Sequence, residues 1–328
     1  MMRHAAAAVL AAAGLAFAVR AAPASDPEEG TVLRGHVGVV ASVAFAGERV
    51  ASGGVDGTAR LWDAATGRAL RVLTPGGEVN VVALSADGTR LAAGHGRSVT
   101  VWRVSDGRRE WTRELGGYPA ALAFAPDGGE LAALSGEGVL LRLDPAGGAV
   151  RDTLRAGYGG AVAYSRDGRL LAVGGARIRV WTRAALPADT GRVLAGHEDV
   201  VYGLSFSPDA GVLASASLDR TTRLWDVASG TVRDTLTTAH PSRLMVGGRM
   251  REIPQQLPVT AAAFSPDGRT LATAGADRAL HLWDAATGAR RESREGHTRA
   301  VTGLAWGPGG RLATSSADGT VRLWSVAP

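Results

Sequence analysis

Short runs in which apolar and polar residues alternate recur along most of this 328-residue chain. VVASVAF at 39–45 and VYGLSFS at 201–207 are two such runs, and turns that contain glycine or proline follow them. A period of two is typical of strands with one buried face, and the turns come too soon for helices of ordinary length. The pattern therefore predicts an all-β protein made of many short strands.

Two markers divide these strands into repeating units. A turn motif reads SADG at 85, APDG at 125, SRDG at 165, SPDA at 207, SPDG at 265 and GPGG at 307. A tryptophan ends an alternating run at Trp62, Trp102, Trp181, Trp225, Trp283 and Trp324, with Leu143 in the seventh place. Both series step by 38 to 44 residues apart from one step of 58. Seven units of four short strands are typical of a β-propeller, in which the sheets pack radially as blades.

Three of the units, at 35–63, 196–226 and 296–324, share a Gly-His pair, a serine or threonine, an aspartate and a final tryptophan at similar spacing. In these residues the chain resembles the WD40-repeat family, and the resemblance extends over 31–327. It implies a seven-bladed propeller of four-stranded antiparallel blades. It leaves the biological role open, because this fold serves many functions.

The resemblance also implies a structural tetrad in each regular blade, in which indole, hydroxyl, imidazole and carboxylate groups satisfy one another. The implied members are His36, Ser52, Asp56 and Trp62 in blade one, His197, Ser215, Asp219 and Trp225 in blade five, Thr273, Asp277 and Trp283 in blade six, and His297, Thr314, Asp318 and Trp324 in blade seven. Blade six has its Gly-His displaced, and Ala239-His240 is the candidate substitute. Blades two, three and four lack parts of the set, so we expect apolar packing alone to hold them.

The two ends of the repeat array predict how the ring closes. The seventh unit ends with its third strand in TVRLWSVAP at 320–328, so its fourth strand has to come from elsewhere. We expect TVLRG at 31–35 to supply it. This closure would remove two sheet edges that otherwise stay unpaired.

Recurring Ser, His and Asp residues also suggest a hydrolase triad. A triad stands once beside an oxyanion hole, whereas this set recurs in several units and no G-x-S-x-G motif occurs in the chain. We therefore interpret the set as structural and expect no catalytic residue.

Other chemistry is poorly supported by the composition. Cysteine is absent and all 36 basic residues are arginine, which excludes disulfides, cysteine metal sites and Schiff-base lysines. No H-E-x-x-H motif occurs, so we expect no metal and no cofactor. His281 is expected to be a solvated surface residue, and His95, near a turn of an irregular blade, is not expected to be a ligand.

The N-terminus has the order of a secretory signal peptide, with a short basic start, fifteen apolar residues at 5–19 and small residues after them. We expect 1–24 to be a signal peptide, 25–30 a linker and 31–328 the propeller of a bacterial exported type of WD40 protein, located in the periplasm or outside the cell. A disordered or membrane-anchoring N-terminus is the alternative, although about twenty residues are needed for a span.

Charge adds an expectation about partners. Cleavage after Ala24 would remove Arg3 and Arg20 and lower the formal net charge from +5 to +3. So small a surplus, with arginines spread over all units, predicts no nucleic-acid partner. We expect a monomeric propeller.

The one long step of the repeat contains TTAHPSRLMVGGRMREIPQQLP at 237–258. The resemblance implies that 238–257 is a loop on the face that carries the turns of the tetrad aspartates. Methionine suits adaptable contacts and arginine is enriched at interface hot spots, so we interpret the loop as partner-binding, with a tolerated insertion as the alternative. The candidate partner-binding residues are Tyr118, Tyr158, Glu198, Asp199, His240, Arg243, Met245, Arg249, Met250, Arg251 and Arg299.

Two classes of function stay open. The first is a non-catalytic scaffold that binds a protein or peptide, and an envelope assembly factor would differ from it only in its partner. The second is an exported propeller enzyme or small-ligand binder that uses the central channel, which would need polar groups from several blades. Apolar residues precede the tetrad aspartates and disfavour the second class, namely Val55, Leu218, Ala276 and Ala317.

Overall fold

A computed structural model describes residues 30–246 and 249–327, with side chains described throughout except at 239–255. The expected signal peptide at 1–24 and all but the last residue of the expected linker lie outside the described residues. Within the described part, strands account for nearly all regular structure, and the helices are single 3₁₀ turns at Arg183–Ala185 and Pro308–Gly310. None of the helices described is long and apolar enough to cross a membrane.

Seven four-stranded antiparallel sheets form the blades. Blades one to three contain β2 (Val40–Ala46), β3 (Arg49–Gly54), β4 (Ala59–Asp63) and β5 (Ala69–Leu73); β6 (Val79–Leu84), β7 (Arg90–His95), β8 (Ser98–Arg103) and β9 (Arg109–Glu114); and β10 (Pro119–Phe124), β11 (Leu131–Ser135), β12 (Val139–Leu143) and β13 (Val150–Arg155). Blades four and five contain β14 (Gly159–Tyr164), β15 (Leu170–Gly175), β16 (Ile178–Thr182) and β17 (Arg192–Leu194); and β18 (Val201–Phe206), β19 (Val212–Ser217), β20 (Thr221–Asp226) and β21 (Val232–Thr237). Blade six contains β24 (Val259–Phe264), β25 (Thr270–Gly275), β26 (Leu280–Asp284) and β27 (Arg290–Arg294), and blade seven contains β28 (Val301–Trp306), β29 (Arg311–Ser316), β30 (Val321–Ser325) and β1 (Thr31–Leu33). The prediction of a seven-bladed propeller is confirmed.

The first strand of each blade is the inner strand of the ring. Each one packs against the first strands of both neighbouring blades, from β2 through to β28 and back to β2. The second strand is the most buried, and in every blade it carries an alanine without exposed surface, at Ala51, Ala92, Ala132, Ala172, Ala214, Ala272 and Ala313. Small side chains at this position allow neighbouring sheets to approach closely, so the core consists of apolar layers between blades.

The ring closes between the two ends of the described chain. Strand β1 pairs antiparallel with β30, with Thr31 opposite Leu323 and Leu33 opposite Val321. The Leu33 side chain is 2% exposed and packs in a cluster with Trp62 of blade one. The expectation that the N-terminal strand completes the last blade is confirmed.

The insertion between blades five and six differs from the expected loop. Its backbone forms two strands, β22 (Ala239–Val246) and β23 (Arg249–Gln256), which pair with each other in a sheet of their own. Two residues of the sequence, 247 and 248, lie between them. The segment is therefore a β-hairpin that leaves the ring after β21 and returns at β24.

Candidate functional site

The tetrad of blade one is a continuous chain of hydrogen bonds. Trp62 Nε1 donates to Ser52 Oγ at 2.8 Å, Ser52 Oγ lies 2.8 Å from His36 Nε2, and His36 Nδ1 lies 3.0 Å from Asp56 Oδ1. A single proton arrangement satisfies all groups: the Ser52 hydroxyl donates a hydrogen bond to His36 Nε2, and the His36 Nδ1–H donates one to the Asp56 carboxylate.

Blades five and seven repeat this geometry. The indole–hydroxyl, hydroxyl–imidazole and imidazole–carboxylate distances are 2.8, 2.6 and 2.6 Å in blade five and 2.8, 2.8 and 2.9 Å in blade seven. The hydroxyl-bearing residues have no exposed surface, so a substrate cannot reach them as nucleophiles. They are Ser52, Ser215 and Thr314.

The tetrad aspartates of blades one, five and seven also fasten the connection that enters the blade. Asp56 accepts a hydrogen bond from the backbone N–H of Val37 at 3.1 Å, and Asp219 accepts one from the N–H of Glu198 at 3.2 Å. The connections between blades and the turns that hold the aspartates thus lie side by side. We call the surface they form the tetrad-turn face.

The electrostatics of blades one and five favour one charge state for the tetrad. Burial alone would raise the pKa of Asp56, but hydrogen bonds from Thr58, His36 and Val37 lower it to about 2. Burial lowers the pKa of His36 and His197 despite the neighbouring carboxylates. A neutral imidazole and an ionised carboxylate are therefore the stable combination near neutral pH.

In blade six the imidazole belongs to a strand and not to the connection that enters the blade. It is that of His281, and the expectation that His281 is a solvated surface residue is wrong. His281 is 6% exposed, and its Nε2 lies 2.6 Å from Asp277 Oδ2. Its Nδ1 lies 2.7 Å from Ser293 Oγ on β27, while Trp283 donates to Thr273 at 2.8 Å. The connection that supplies a histidine elsewhere is replaced here by the hairpin, so the imidazole comes from β26 within the blade.

Blade two shows a second substitution of this kind. In blade one a Cβ at Gly54 would lie 2.6 Å from His36 Nδ1, so glycine at this strand end leaves room for the imidazole. In blade two the corresponding strand end is His95, which is buried and 2.8 Å from Thr100 Oγ1, and that hydroxyl lies 2.9 Å from Thr112. The expectation of purely apolar packing in this blade is wrong.

Blades three and four are also held by more than apolar packing. Glu130 is 1% exposed and takes two hydrogen bonds from Arg142, at 2.9 and 2.7 Å. Arg142 reaches Asp152 at 2.5 Å, Tyr164 of blade four donates to Glu130, and Arg183 lies 3.6 Å from the same carboxylate. This buried ion cluster joins blades three and four, neither of which has a tetrad.

The charged groups of this ion cluster stabilise one another. Burial alone would raise the pKa of Glu130, but Arg142 and Tyr164 hold it below its usual value. Burial and the Glu130 carboxylate raise the pKa of the Tyr164 phenol, so that group stays a donor.

Five candidate partner-binding residues with described side chains lie exposed. Tyr118 is 42% exposed and Tyr158 is 73% exposed, so neither ring fills space in the core. Glu198, Asp199 and Arg299 are exposed in connections that enter blades five and seven. The remaining candidates belong to the hairpin, where Met245 and Met250 are register partners. Side chains lie outside the described residues at His240, Arg243, Met245, Arg249, Met250 and Arg251.

Sequence reasoning missed three exposed residues of the same face. Tyr202 is 36% exposed at the second position of an inner strand, where blades one and three have alanine and blade four has glycine. Arg220 and Arg278 follow the aspartates of blades five and six with φ of 75° and 70°. Blades one, three and seven have glycine at this left-handed position, at Gly57, Gly138 and Gly319, so the two arginines were detectable as exceptions in the repeat.

Comparison with known proteins identifies the repeats. The WD40 family description, "WD domain, G-beta repeat", matches 28–63, 189–226, 250–284 and 289–325, and these segments are WD40 repeats. Protein Notchless of Drosophila melanogaster is 31% identical over 165 residues, which cover 40% of this chain and 34% of that protein. The U3 snoRNP-associated protein-like EMB2271 of Arabidopsis thaliana is 34% identical over 146 residues, with 42% and 30% covered.

A third relative, Telomerase protein component 1 of Rattus norvegicus, is 38% identical over 130 residues, which cover 38% of this chain and 5% of that protein. The chain thus spans about a third or less of the length of these relatives. All three are eukaryotic WD-repeat relatives, and they give no support to the expected bacterial exported type.

Proposed function

We propose that this propeller with WD40 repeats is a non-catalytic scaffold that binds a protein or peptide through its tetrad-turn face. One observation is the main support for this proposal. Among the described connections between blades, only that between blades five and six contains strands of its own, β22 and β23, and these pair with no blade. An isolated two-stranded hairpin is marginally stable in water and has open edges, so a partner that packs on it would stabilise it.

The tetrads support this proposal by making the face rigid. They fasten the connections that enter blades one, five and seven, as the bonds to Val37, Glu198 and Thr298 indicate. The backbone of such connections loses little further conformational entropy when a partner binds. The names of two relatives, one associated with a snoRNP and one a component of telomerase, describe members of larger assemblies, which is consistent with a scaffold.

We also propose that the chain is exported through 1–24 and acts as a monomer. The signal-peptide pattern and the closed ring support these statements. N-terminal sequencing and mass measurement of the protein from its native source should give a start near Ala22 or Ser25 and a single-chain mass. A retained N-terminus or a stable dimer would contradict them.

The hairpin provides the experiment. Replacing 240–256 by a short Gly-Ser link should leave the free energy of unfolding within about 1 kcal/mol, because loop length has a weak thermodynamic effect. The same replacement should abolish capture of the partner from an extract of the source organism, and Arg249→Ala with Met250→Ala should weaken it. Arg108→Ala with Arg109→Ala, an exposed pair on blade two, is the control for lost charge. Unchanged capture by the hairpin-less chain would contradict the proposal.

The alternative, a small-ligand binder, has one observation in its favour. A cavity of about 410 Å³ lies at the opposite ends of the inner strands, with Tyr164, Phe206, Phe264 and Trp306 in its wall. That volume is within the range of ligand sites. A small molecule that raises the melting temperature of the protein but not of its Trp306→Ala variant would favour this alternative.

A further inference from the structure

Two glycines on the tetrad-turn face leave room for tyrosine rings. A Cβ at Gly136 would lie 1.8 Å from Tyr118 Cζ, and a Cβ at Gly160 would lie 2.6 Å from Tyr202 Cδ1. Neither glycine has a positive φ, so the backbone does not require glycine at either position. The absence of a side chain is needed because an aromatic ring lies directly over each.

These contacts connect three tyrosines of neighbouring blades. Tyr118 lies over the turn of blade three, and Gly138 of that turn abuts the next connection, where a Cβ would lie 2.9 Å from Tyr158 N. Two residues after Tyr158 is Gly160, which Tyr202 covers. We call Tyr118, Tyr158 and Tyr202 the tyrosine cluster. Within the described residues, none of the three hydroxyls makes a hydrogen bond.

Carboxylates lie beside two of the three tyrosines, Tyr118 and Tyr202. A Cβ at Gly117 would lie 1.5 Å from Glu137 Oε2, so this carboxylate lies against the backbone beside Tyr118. Asp199 is three residues before Tyr202, and Glu198 is exposed next to it. Burial, Glu137 and Tyr158 raise the pKa of Tyr118, and burial, Tyr118 and Asp199 raise that of Tyr202. The carboxylates that act on these two phenols are thus Glu137 and Asp199.

We infer that the tyrosine cluster binds a cationic side chain, the guanidinium of an arginine or the ammonium of a lysine, from the partner. The inference rests on the proposed function, because it describes the partner of the same face. A cation is attracted to the electron-rich faces of aromatic rings, and carboxylates at the edge pair with its charge. An acidic or phosphorylated group would meet Glu137 and Asp199 beside the rings and be repelled there.

The four tyrosines of the chain make this testable without a known partner. Full-length protein labelled with 3-fluorotyrosine gives four ¹⁹F signals, assigned with single Tyr→Phe variants. Tyr164, bonded to Glu130 in the ion cluster, is the internal reference. N-acetylarginine amide and N-acetyllysine amide are titrated at mildly acidic pH, with neutral N-acetylglutamine amide as the matched probe.

Either cationic probe should shift the three cluster signals in a saturable manner and leave the Tyr164 signal in place. Glu137→Gln with Asp199→Asn should weaken the affinity about tenfold, because the carboxylates pair with the cation. Glu295→Gln removes an exposed charge in the connection into blade seven and should change nothing. Equal shifts with the glutamine probe, or unchanged affinity in the double variant, would overturn the inference.

The hairpin-less chain separates this inference from the proposed function. It keeps all three tyrosines, so its titration should match that of the intact protein. A failed titration together with hairpin-dependent partner capture would reject only the cationic site. An intact titration with hairpin-independent capture would reject only the role of the hairpin.

Discussion

At the scale of residues, the same hydrogen-bonding task is performed from different backbone positions. A histidine partners the tetrad aspartate from a connection in blade one and from strand β26 in blade six, through His36 and His281. In blade two, His95 comes from a strand end that is glycine in blade one. Sequence spacing identified the regular sets, because the hydroxyl and the tryptophan keep one separation and the histidine lies 16 to 18 residues before the hydroxyl. It could not identify the exceptions, because they depend on which side chains share a volume.

The protonation states of these residues predict how stability depends on pH. The folded pKa of His36 and His197 is below the ordinary value of 6.5, and those of Asp56, Asp219 and Asp318 are below 3.8. In acid the unfolded chain therefore binds more protons than the folded one, so folding stability falls as the pH drops.

Denaturant unfolding measured from neutral pH down to about pH 3 should show this decline in two parts. The first part begins as the pH falls through the ordinary imidazole pKa of 6.5, and the second as it falls through the ordinary carboxylate pKa of 3.8. Asp219→Asn should make the second part of the decline shallower, because one depressed carboxylate is gone. Stability that increases on acidification would contradict the assigned charge states.

At the scale of elements, the blades that lack tetrads have a different means of support. The ion cluster links the residue before β11 and the strands β12 and β13 of blade three to β14 of blade four. Its members in these places are Glu130, Arg142, Asp152 and Tyr164. Sequence reasoning missed it, because charged residues separated by ten to thirty-four positions look like ordinary surface charges until the strands pair. The pairing places Arg142 opposite Asp152.

Removing one partner from this cluster should be costly. Glu130→Leu leaves the 8%-exposed Arg142 side chain without its main partner, and we expect a loss of about 3–5 kcal/mol in the free energy of unfolding. Glu130→Leu with Arg142→Met should recover much of that loss, because no buried charge stays unpaired. Asp106→Asn, in an exposed pair with Arg103, is the control and should leave the melt unchanged. An unchanged unfolding free energy for Glu130→Leu would show that the cluster does not stabilise the fold.

The insertion is a second case at this scale. The break in the repeat located it, but its hairpin structure was missed although the sequence held a signal. Gly247-Gly248 stands between two runs of strand-forming length, which is typical of a two-residue hairpin connection. The arginines and prolines in those runs concealed the strand pattern.

At the scale of the whole molecule, the repeat was sufficient to predict blade number, strand order and closure. Each unit has apolar faces that only a neighbouring unit can cover, so seven units with the same strand pattern specify a ring. The sequence could not show which irregular residues of the tetrad-turn face are candidates for binding. That depends on how exposed each side chain is and on its neighbours in the adjacent blades. Tyr202 became a candidate only when its ring was found over Gly160 of the neighbouring blade.

Closure yields a prediction about the whole ring. Deleting 25–34 removes β1 and exposes the edge of β30, so the melting temperature should fall and aggregation should increase with concentration. Deleting 25–29 alone keeps β1 and serves as the control. If both deletions melt like the intact chain, β1 does not close the ring.

The central claim is that partner binding uses the tetrad-turn face. Hydrogen–deuterium exchange of the full-length protein, with and without the captured partner, tests it most directly. We expect slower exchange in the bound state at 239–256 and in the connections that carry Tyr118, Tyr158 and Asp199. Exchange in the turns at 85–88 and 265–268, on the opposite face, should be unchanged. Protection confined to the opposite face, or to the outer strands, would contradict it.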